Sequence, residues 1–329
     1  MRWQKLGRIF TVKGQRPWMH SHTSMPFAES LANGRIRIWF TPRDRQNQSH
    51  LAWLETHTDN PAAILDLAET PTLAPGEDGA FDDTGAMGSW LVDHDNDRRH
   101  YYIGWTQSGA APFHLSIGVA RNQDGGTAFT RIDGNPVHDR NPHDPILVST
   151  PCVLVTDGHW VMYYLSATRW RSGNSFPDYN IRRATSLDGF DWKADTNPCI
   201  DFAGPSECAI ARPCVVRDGD LWRMWYCHRG DYYQYRIGYA ESGDGKAWTR
   251  RDDQAGLTVS DDGWDSEMAA YPFVFDHAGS RYMLYAGNGY GRAGMGLAVQ
   301  DEDSTATSVA GGFIAEDSAK IGTAEHPLD

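Results

Sequence analysis

Residues 206–216 read Ser206-Glu207-Cys208-Ala209-Ile210-Ala211-Arg212-Pro213-Cys214-Val215-Val216. An acidic residue stands a few positions before a proline, and the proline opens an apolar, β-branched run. A second run, rich in aromatic residues, follows at Trp222-Arg223-Met224-Trp225-Tyr226. β-branched and aromatic residues are enriched in strands, so the stretch predicts two consecutive antiparallel strands.

The same arrangement recurs along the chain with a period of roughly 60 residues. Clear copies begin at Pro151 and Pro272, and each is followed by a second aromatic run, at 160–164 and 282–285. Two earlier copies are weaker, at 26–40 and 88–105, and the second of these lacks the proline. A repeat of this length is typical of the blade of a β-propeller.

Each copy continues into a third strand, and three copies then carry an Asp-Gly turn followed by an aromatic residue. The turns are Asp124-Gly125, Asp188-Gly189 and Asp244-Gly245. Asp-Gly strongly favours a hairpin, because Gly accepts a positive φ angle and the Asp side chain bonds back to the turn. The turns therefore indicate a fourth strand in these copies.

Five copies of about four strands predict an all-β fold, a five-bladed β-propeller with antiparallel blades. We expect the propeller to form a catalytic domain over residues 1–300. An N-terminal strand near Lys5–Val12 is expected to complete the last blade. Residues 301–329 are poor in strand formers and are expected to form a C-terminal extension.

Composition and charge argue against several classes of protein. The net charge of −13 argues against nucleic acid or an anionic membrane as partner. No stretch approaches the roughly 18 apolar residues of a membrane span, and the N-terminus lacks the apolar core of a signal peptide. We therefore expect a cytoplasmic protein with a neutral or locally recognised small substrate, and we leave the oligomeric state open.

The five cysteines form no CxxC pair, so neither a zinc cage nor a disulfide framework is expected. Cys152 and Cys214 follow the prolines of their repeats, which predicts packed core positions. We expect no cofactor, although a metal ion or a bound phosphate on the propeller axis is left open.

Polar residues just upstream of each repeat's first strand are expected to share one pocket. In a propeller the first strand of each blade lines the central axis, and the second strand returns its end to the same face. The upstream positions carry His20, His22, Asp82, Asp83, Glu207, Asp265 and Glu267. The ends of the second strands carry Arg43, Trp105, His228 and Arg229, among others. Arg212 directly precedes its proline.

This mixture of side chains suits sugar chemistry. Two carboxylates on opposite sides of a glycosidic bond supply a general acid and a general base or nucleophile. Crowding acidic groups in a partly dry mouth raises the pKa of one of them, which keeps it protonated near neutral pH. Tryptophan rings stack on sugar CH surfaces, and arginines bind hydroxyls or anions.

The chain resembles the five-bladed propeller glycosidases, the superfamily of arabinanases, invertases, levansucrases and mannoside phosphorylases. The segment Ser206-Glu207-Cys208 is similar to the Glu-Cys acid motif of the invertase-like families. The Ser-x-Asp-Gly-x-x-Trp ends at 186–192 and 242–248 add to the resemblance. It implies a glycosidase with an Asp base in the first blade, a second Asp that tunes the site and a Glu acid.

Only the acid carries over cleanly, onto Glu207. The first blade offers His20-Ser21-His22 where the family's base Asp would stand. Hence Asp82 or Asp83 must be the base, or the chemistry differs. The favoured hypothesis is a glycoside hydrolase in which Glu207 is the acid, Asp83 the base or nucleophile, and Glu267 tunes the pair or binds substrate.

The remaining candidates are expected to bind the carbohydrate substrate, and they are His20, His22, Arg43, Asp82, Trp105, Arg212 and Asp265. Two further functions stay open. One is a glycoside phosphorylase or sugar transferase on the same scaffold, with His20, His22, Arg43 and Arg212 available to bind phosphate. The other is a non-catalytic carbohydrate-binding propeller, since the first-blade Asp is missing. For Glu207 the alternative is a purely structural bond at a strand start.

Overall fold

The computed structural model describes residues 1–107, 111–122, 125–171 and 176–301. It confirms the predicted five-bladed propeller, with four antiparallel strands in each blade. Blade 5 contains the N-terminal strand β1 (Trp3–Phe10). Blade 1 consists of β2 (Ser21–Ser30), β3 (Arg35–Arg43), β4 (Ala52–His57) and β5 (Asp66–Leu67). Blade 2 consists of β6 (Gly85–His94), β7 (Asp97–Thr106), β8 (His114–Asn122) and β9 (Thr130–Arg131).

The later blades repeat this plan. Blade 3 consists of β10 (Val148–Thr156), β11 (His159–Trp170), β12 (Pro177–Ser186) and β13 (Lys193–Ala194). Blade 4 consists of β14 (Glu207–Asp218), β15 (Leu221–Gly230), β16 (Arg236–Ser242) and β17 (Thr249–Arg250). Blade 5 adds β18 (Ala270–His277), β19 (Ser280–Ala286) and β20 (Met295–Gln300) to β1. Short helical turns lie at Ala32–Gly34, Asp252–Gln254 and Asn288–Gly291.

The blades close into a ring. The first strands contact one another in the order β2, β6, β10, β14, β18 and back to β2, so they surround the central axis. Strand β1 pairs antiparallel with β20 and thereby becomes the fourth strand of blade 5. The expected closing strand is therefore confirmed, and it joins an N-terminal segment to the last blade.

A β-bulge interrupts the first strand of every blade, at the point where its register with the second strand shifts. In four blades the residue before the repeat's proline has a φ angle between 49° and 57°. These residues are Met25, Thr150, Arg212 and Tyr271. Positive φ is uncommon for such side chains, and a bulge re-aims the side chain it carries. The repeated proline thus marks a repeated bulge on the axis.

Blade 2 lacks the proline, and Ser89 stands in its place. The buried Ser89 hydroxyl donates to the carbonyl of Pro151 in blade 3, at 2.7 Å. It also accepts from Arg212 Nη1 of blade 4, at 2.8 Å. A hydroxyl at this position therefore connects three blades, which a proline could not do.

An aspartate–tyrosine latch recurs at the start of three blades. In each, a buried Asp just upstream of the first strand accepts a hydrogen bond from a Tyr hydroxyl on the second strand, twenty positions further along. The pairs are Asp82–Tyr102 at 2.9 Å, Asp144–Tyr164 at 2.9 Å and Asp265–Tyr285 at 3.0 Å. Each latch ties the entry of a blade to its body.

The Asp-Gly turns connect neighbouring blades. Ser186 Oγ accepts from the backbone N–H of Gly189 at 2.9 Å, which fixes the turn. The carbonyl of Gly189 then accepts from Tyr101 of blade 2 at 2.8 Å. The carbonyl of Gly245 accepts from Tyr163 of blade 3 at 2.6 Å in the same way. Asp124 of the first such turn lies outside the described residues.

The cysteines are free thiols, and Cys152 and Cys214 are buried in the core, as expected. Their sulfurs accept backbone hydrogen bonds from Val215 and Val274 of the neighbouring blades. Residues 302–329 of the predicted extension lie outside the described residues. Within the described ranges no helix has both the length and the apolar character needed to cross a membrane.

Candidate functional site

A cavity of about 340 Å³ lies on the propeller axis. The first strand of every blade contributes to its lining, through Met25, Met87, Thr150, Ala211 and Tyr271. Three of these residues sit at the bulges, so the bulges shape the cavity wall. Its volume is at the lower end of the roughly 300–1,000 Å³ that is usual for small-molecule sites.

The second strands bring polar side chains to the same cavity. Arg43 ends β3, and its guanidinium lies 5.3 Å from the ring of Trp105, near the end of β7. Arg43 Nη1 donates to Asn47 Oδ1 at 3.0 Å. The structure therefore places two of the predicted substrate-binding residues, Arg43 and Trp105, together on the lining.

Arg229 forms a second polar wall with aromatic neighbours. Its guanidinium lies 5.3 Å from the ring of Phe176 and 5.5 Å from that of Tyr235. Its Nη2 donates to the Tyr179 hydroxyl at 3.5 Å, and the Tyr179 and Tyr235 hydroxyls bond each other. The sequence pattern located Arg229 at the end of a second strand but assigned it no role.

The described lining residues of the cavity include no aspartate or glutamate. Three N–H donors on this lining, Arg43 Nε, Arg229 Nε and Trp105 Nε1, are buried and lack a hydrogen-bond partner within the described part of the chain. Buried donors in folded proteins nearly always have an acceptor, so each exception calls for one. The cavity is thus rich in donors and in positive charge.

Arg212 lies beside this cavity rather than on it. It is fully buried and donates to the Ser89 carbonyl at 3.0 Å and, more weakly, to the Pro26 carbonyl at 3.5 Å. Its neighbour Ala211 lines the cavity instead. Its bulge sends the side chain into the core, where it connects blades 1, 2 and 4, so the described contacts of Arg212 are structural and its contact with substrate stays a prediction.

The two histidines of the first blade also stay off the lining. His22 is buried and hydrogen-bonds Ser21 through Nδ1 at 2.8 Å. Burial, followed by the charges of Arg43 and Arg292, lowers the pKa of His22 to about 3, so it is neutral near pH 7. His20 is exposed, and its backbone N–H donates to the Arg43 carbonyl at 2.8 Å. Neither histidine is among the residues that line the cavity, so their role in binding substrate stays a prediction.

Glu207 is fixed by partners within its own blade. Its carboxylate accepts from Arg250 Nη1 at 2.7 Å and Nη2 at 2.9 Å, from His228 Nδ1 at 2.8 Å, and from the Ala203 N–H at 2.7 Å. Burial disfavours the charge, but these hydrogen bonds outweigh it and lower the pKa of Glu207 to about 2. These partners favour the ionised carboxylate and support the structural alternative, whereas the role of Glu207 as general acid stays a prediction.

The other expected carboxylates are placed elsewhere too. Asp83 accepts from Gly79 N–H at 3.2 Å and Thr84 Oγ1 at 3.1 Å, both in its own turn. Glu267 is exposed, and its backbone N–H donates to Asn288 Oδ1 at 2.9 Å. The structure therefore does not bring the three predicted catalytic residues together on the cavity lining.

An ion pair with a cation of the fourth strand recurs among the acids that precede the first strands. Asp82 pairs with Arg131 of β9, Glu207 with Arg250 of β17, and Asp265 with Lys5 of β1, each at 2.7 Å. These acids thus bind cations of the outermost strand of their blades and do not line the axis. The described contacts of Asp82 and Asp265 are therefore structural, and their role in binding substrate stays a prediction.

The described residues hold no group of three or more His, Cys, Asp or Glu side chains placed to bind a metal ion. The axial ion that the sequence left open therefore has no protein ligand set in the described ranges.

Solved structures with the same fold include several carbohydrate-active proteins. One, described as a glycoside hydrolase, has a TM-score of 0.69 and 17% identity, covering 90% of this protein and 92% of that one. A thermostable family-43 glycoside hydrolase has a TM-score of 0.65 at 16% identity, covering 85% and 89%. At such identities the likeness shows the fold, which is that of the propeller glycosidases.

A third structure comes from work on the GH130 family of mannoside phosphorylases, said to contain glycoside hydrolases that target β-1,2 mannosidic linkages in Candida mannan. Its TM-score is 0.68 at 14% identity, covering 92% of this protein and 94% of that one. The suspected resemblance to this superfamily is thus confirmed for the fold.

No protein-family model matches the chain. It is 41% identical over 299 residues to uncharacterized protein MT1551 of Mycobacterium tuberculosis strain CDC 1551, covering 91% of this chain and 99% of that protein. It is 40% identical, with the same coverage, to uncharacterized protein Rv1502 of strain H37Rv. The chain belongs to the family of these two mycobacterial proteins.

Proposed function

We propose that this protein is a carbohydrate-active enzyme that binds a saccharide in the axial cavity and acts on its glycosidic bond. The observation that carries the proposal is that one lining combines aromatic rings with N–H donors that have no hydrogen-bond partner among the described residues. A sugar ring offers apolar CH faces to the aromatic side chains and hydroxyl oxygens to the donors. The fold shared with glycoside hydrolases adds support, although fold alone does not decide function.

The positions of Asp83, Glu207 and Glu267 do not support a hydrolysis that uses two carboxylates. That mechanism needs two carboxyl groups flanking the scissile bond, and the described lining offers none. Transfer of the glycosyl group to phosphate or to another acceptor therefore remains a candidate alongside hydrolysis. Of the four residues expected to bind phosphate, only Arg43 lines the cavity.

The proposal is tested by incubating the full chain with a panel of glycans, with and without inorganic phosphate or nucleotide sugars, and analysing products by mass spectrometry. A product that requires phosphate indicates a phosphorylase, one that requires a nucleotide sugar a transferase, and one that requires neither a hydrolase. At a low glycan concentration turnover should fall about fivefold or more in Trp105→Ala, taking for a sugar the roughly 1–3 kcal/mol that a base stacked on an aromatic ring contributes.

The matched control is Trp53→Ala, because Trp53 is half-buried on β4 and lies outside the cavity lining. Its turnover should equal that of the wild type. The proposal is wrong if no glycan is bound, or if Trp105→Ala processes its glycan as fast as the Trp53→Ala control.

A second candidate is a non-catalytic carbohydrate-binding propeller. The absence of carboxylates from the described lining favours it. In that case calorimetry would detect saccharide binding that Trp105→Ala weakens, while no product forms under any condition of the panel.

A further inference from the structure

We propose that the saccharide bound in the axial cavity carries an oxyanion, either a carboxylate or a phosphate ester, and that Arg43 and Arg229 bind this group. The inference rests on the proposed function, because it names the class of substrate that the same cavity takes. It concerns the charge of the ligand, which the carbohydrate proposal leaves open.

The cavity lining differs in charge from the chain as a whole. The chain has 43 acidic and 30 basic residues, yet the described cavity lining carries two arginines and no acid. The hydrogen bonds that these arginines make go to Asn47 and Tyr179, which are both neutral. Arginines elsewhere in the fold, such as Arg37 and Arg250, are paired with carboxylates. The cavity therefore concentrates positive charge without a counterion from the described residues.

Three of the residues that line the cavity have an N–H donor without an acceptor among the described residues. Arg43 Nε and Arg229 Nε are both buried without a hydrogen-bond partner in the described residues, as is Trp105 Nε1. Each of these atoms has almost no accessible surface, so a ligand reaches it only if the side chain shifts, whereas the two arginines as whole residues are half-buried and line the cavity. Guanidinium groups match the planar geometry of carboxylates and the oxygens of phosphates, and such charge-assisted bonds are the strong ones.

Both guanidinium groups are held in position before a ligand binds. Arg43 lies against Trp105, and Arg229 lies against Phe176 and Tyr235, all on the lining. Because these rings restrict the two long side chains, less conformational entropy is lost when an anion binds. Arg43 comes from blade 1 and Arg229 from blade 4, so an anion that contacts both would be bound from two parts of the ring.

Further cations reinforce the field at the axis. Arg212 is fully buried near the cavity wall, and its hydrogen bonds go to neutral groups of Ser89 and Pro26. The charges of Arg43 and Arg292 both act on the buried His22 and disfavour its protonation. Charges in a dry interior interact over longer distances than in water, so these groups add to the attraction for an anion.

Calorimetry with matched pairs of probes tests the proposal. The probes are methyl glucuronide against methyl glucoside, glucose 6-phosphate against glucose, and inorganic phosphate alone, each titrated into the full chain. The charged member of at least one pair should bind about tenfold or more tightly than its neutral partner. The double variant Arg43→Gln/Arg229→Gln should abolish this preference, and it should weaken binding of the charged sugar by a larger factor than binding of the neutral one.

Two controls accompany the double variant. Arg45→Gln removes the same charge from an exposed position on the same loop and should keep the preference. Arg43→Lys keeps the charge in a different shape and should retain part of the preference, which distinguishes loss of charge from loss of fold. Unfolding temperatures of all variants are compared with that of the wild type.

The outcomes separate this inference from the proposed function. Equal binding of charged and neutral sugars, or a preference that survives the double variant, overturns the oxyanion site while saccharide binding stands. Binding of inorganic phosphate that is lost in the double variant, without any preference for the charged sugars, assigns the anion site to free phosphate; it overturns the charged-saccharide inference and is compatible with a phosphorylase. If no probe binds, the oxyanion inference fails, and the carbohydrate proposal is decided by the glycan panel.

Discussion

Glu207 shows how the partners of a carboxylate decide its chemistry. From its position before a strand it resembles the acid of a glycosidase, but Arg250, His228 and the Ala203 N–H all stabilise its charged form. The same residue type in an apolar, water-poor site far from any cation would have a raised pKa and could donate a proton. The partners of a carboxylate, and not its position in the repeat, therefore determine whether it stays ionised or can donate a proton.

We predict that Glu207→Gln lowers the free energy of unfolding. The folded pKa of Glu207 is about 2, below its usual 4.5, so its contribution is present above pH 4.5 and is lost as the pH falls toward 2. A shift of this size corresponds to about 3 kcal/mol of unfolding free energy at pH 7. Urea denaturation should show that loss at pH 7 and a gap between wild type and variant that narrows on acidification below pH 4.5.

The exposed Glu267 provides the control, because Glu267→Gln removes the same charge from the surface and should change stability little. A Glu207→Gln protein that is as stable as the wild type but has lost its turnover would contradict the structural role and restore the acid.

The aspartate–tyrosine latches show which contacts between strands can be predicted from local sequence spacing. The prolines and aromatic runs predicted the first and second strands correctly, because these patterns are local. The latches repeat a local spacing of twenty residues, visible in Asp82–Tyr102 and Asp265–Tyr285, which could have been found in the sequence. The cations that pair with these aspartates could not have been found from local spacing, since Lys5 lies 260 positions from Asp265.

The cavity wall was predictable only in part, for a similar reason. Arg43 and Trp105 end second strands, and the antiparallel geometry of a blade brings such ends to the axial face. Tyr271 and Thr150 reach the cavity through bulges, and a bulge reverses the alternation that a strand pattern predicts. The proline after each bulged residue is the signal that would have located them.

We predict that breaking one latch lowers stability without affecting the axial cavity. Tyr285→Phe removes the hydroxyl that donates to the buried Asp265, which should cost about 1–3 kcal/mol of unfolding free energy. Tyr282→Phe on the same strand is the matched control, because no hydrogen bond of its hydroxyl is found among the described residues. Equal unfolding free energies for the two variants would argue against the latch.

For the molecule as a whole, the site belongs to the ring and not to any blade. Each first strand supplies part of the cavity wall, and β1 closes the ring by pairing with β20. Acidic residues concentrate in ion pairs with the outer strands, whereas Arg43 and Arg229 remain without carboxylate partners on the described lining. Five repeats therefore produce an electropositive centre in a protein whose net charge is −13.

The central claim is that this centre binds the saccharide. It is tested most directly by a crystal structure of the protein with the tightest-binding sugar of the calorimetric series. We predict electron density for the sugar in the axial cavity, with its ring against Trp105 and its charged group on Arg43 and Arg229. Density for the sugar at the Glu207–Arg250 pair, or on the outer face of a blade with the axial cavity empty, would contradict the account.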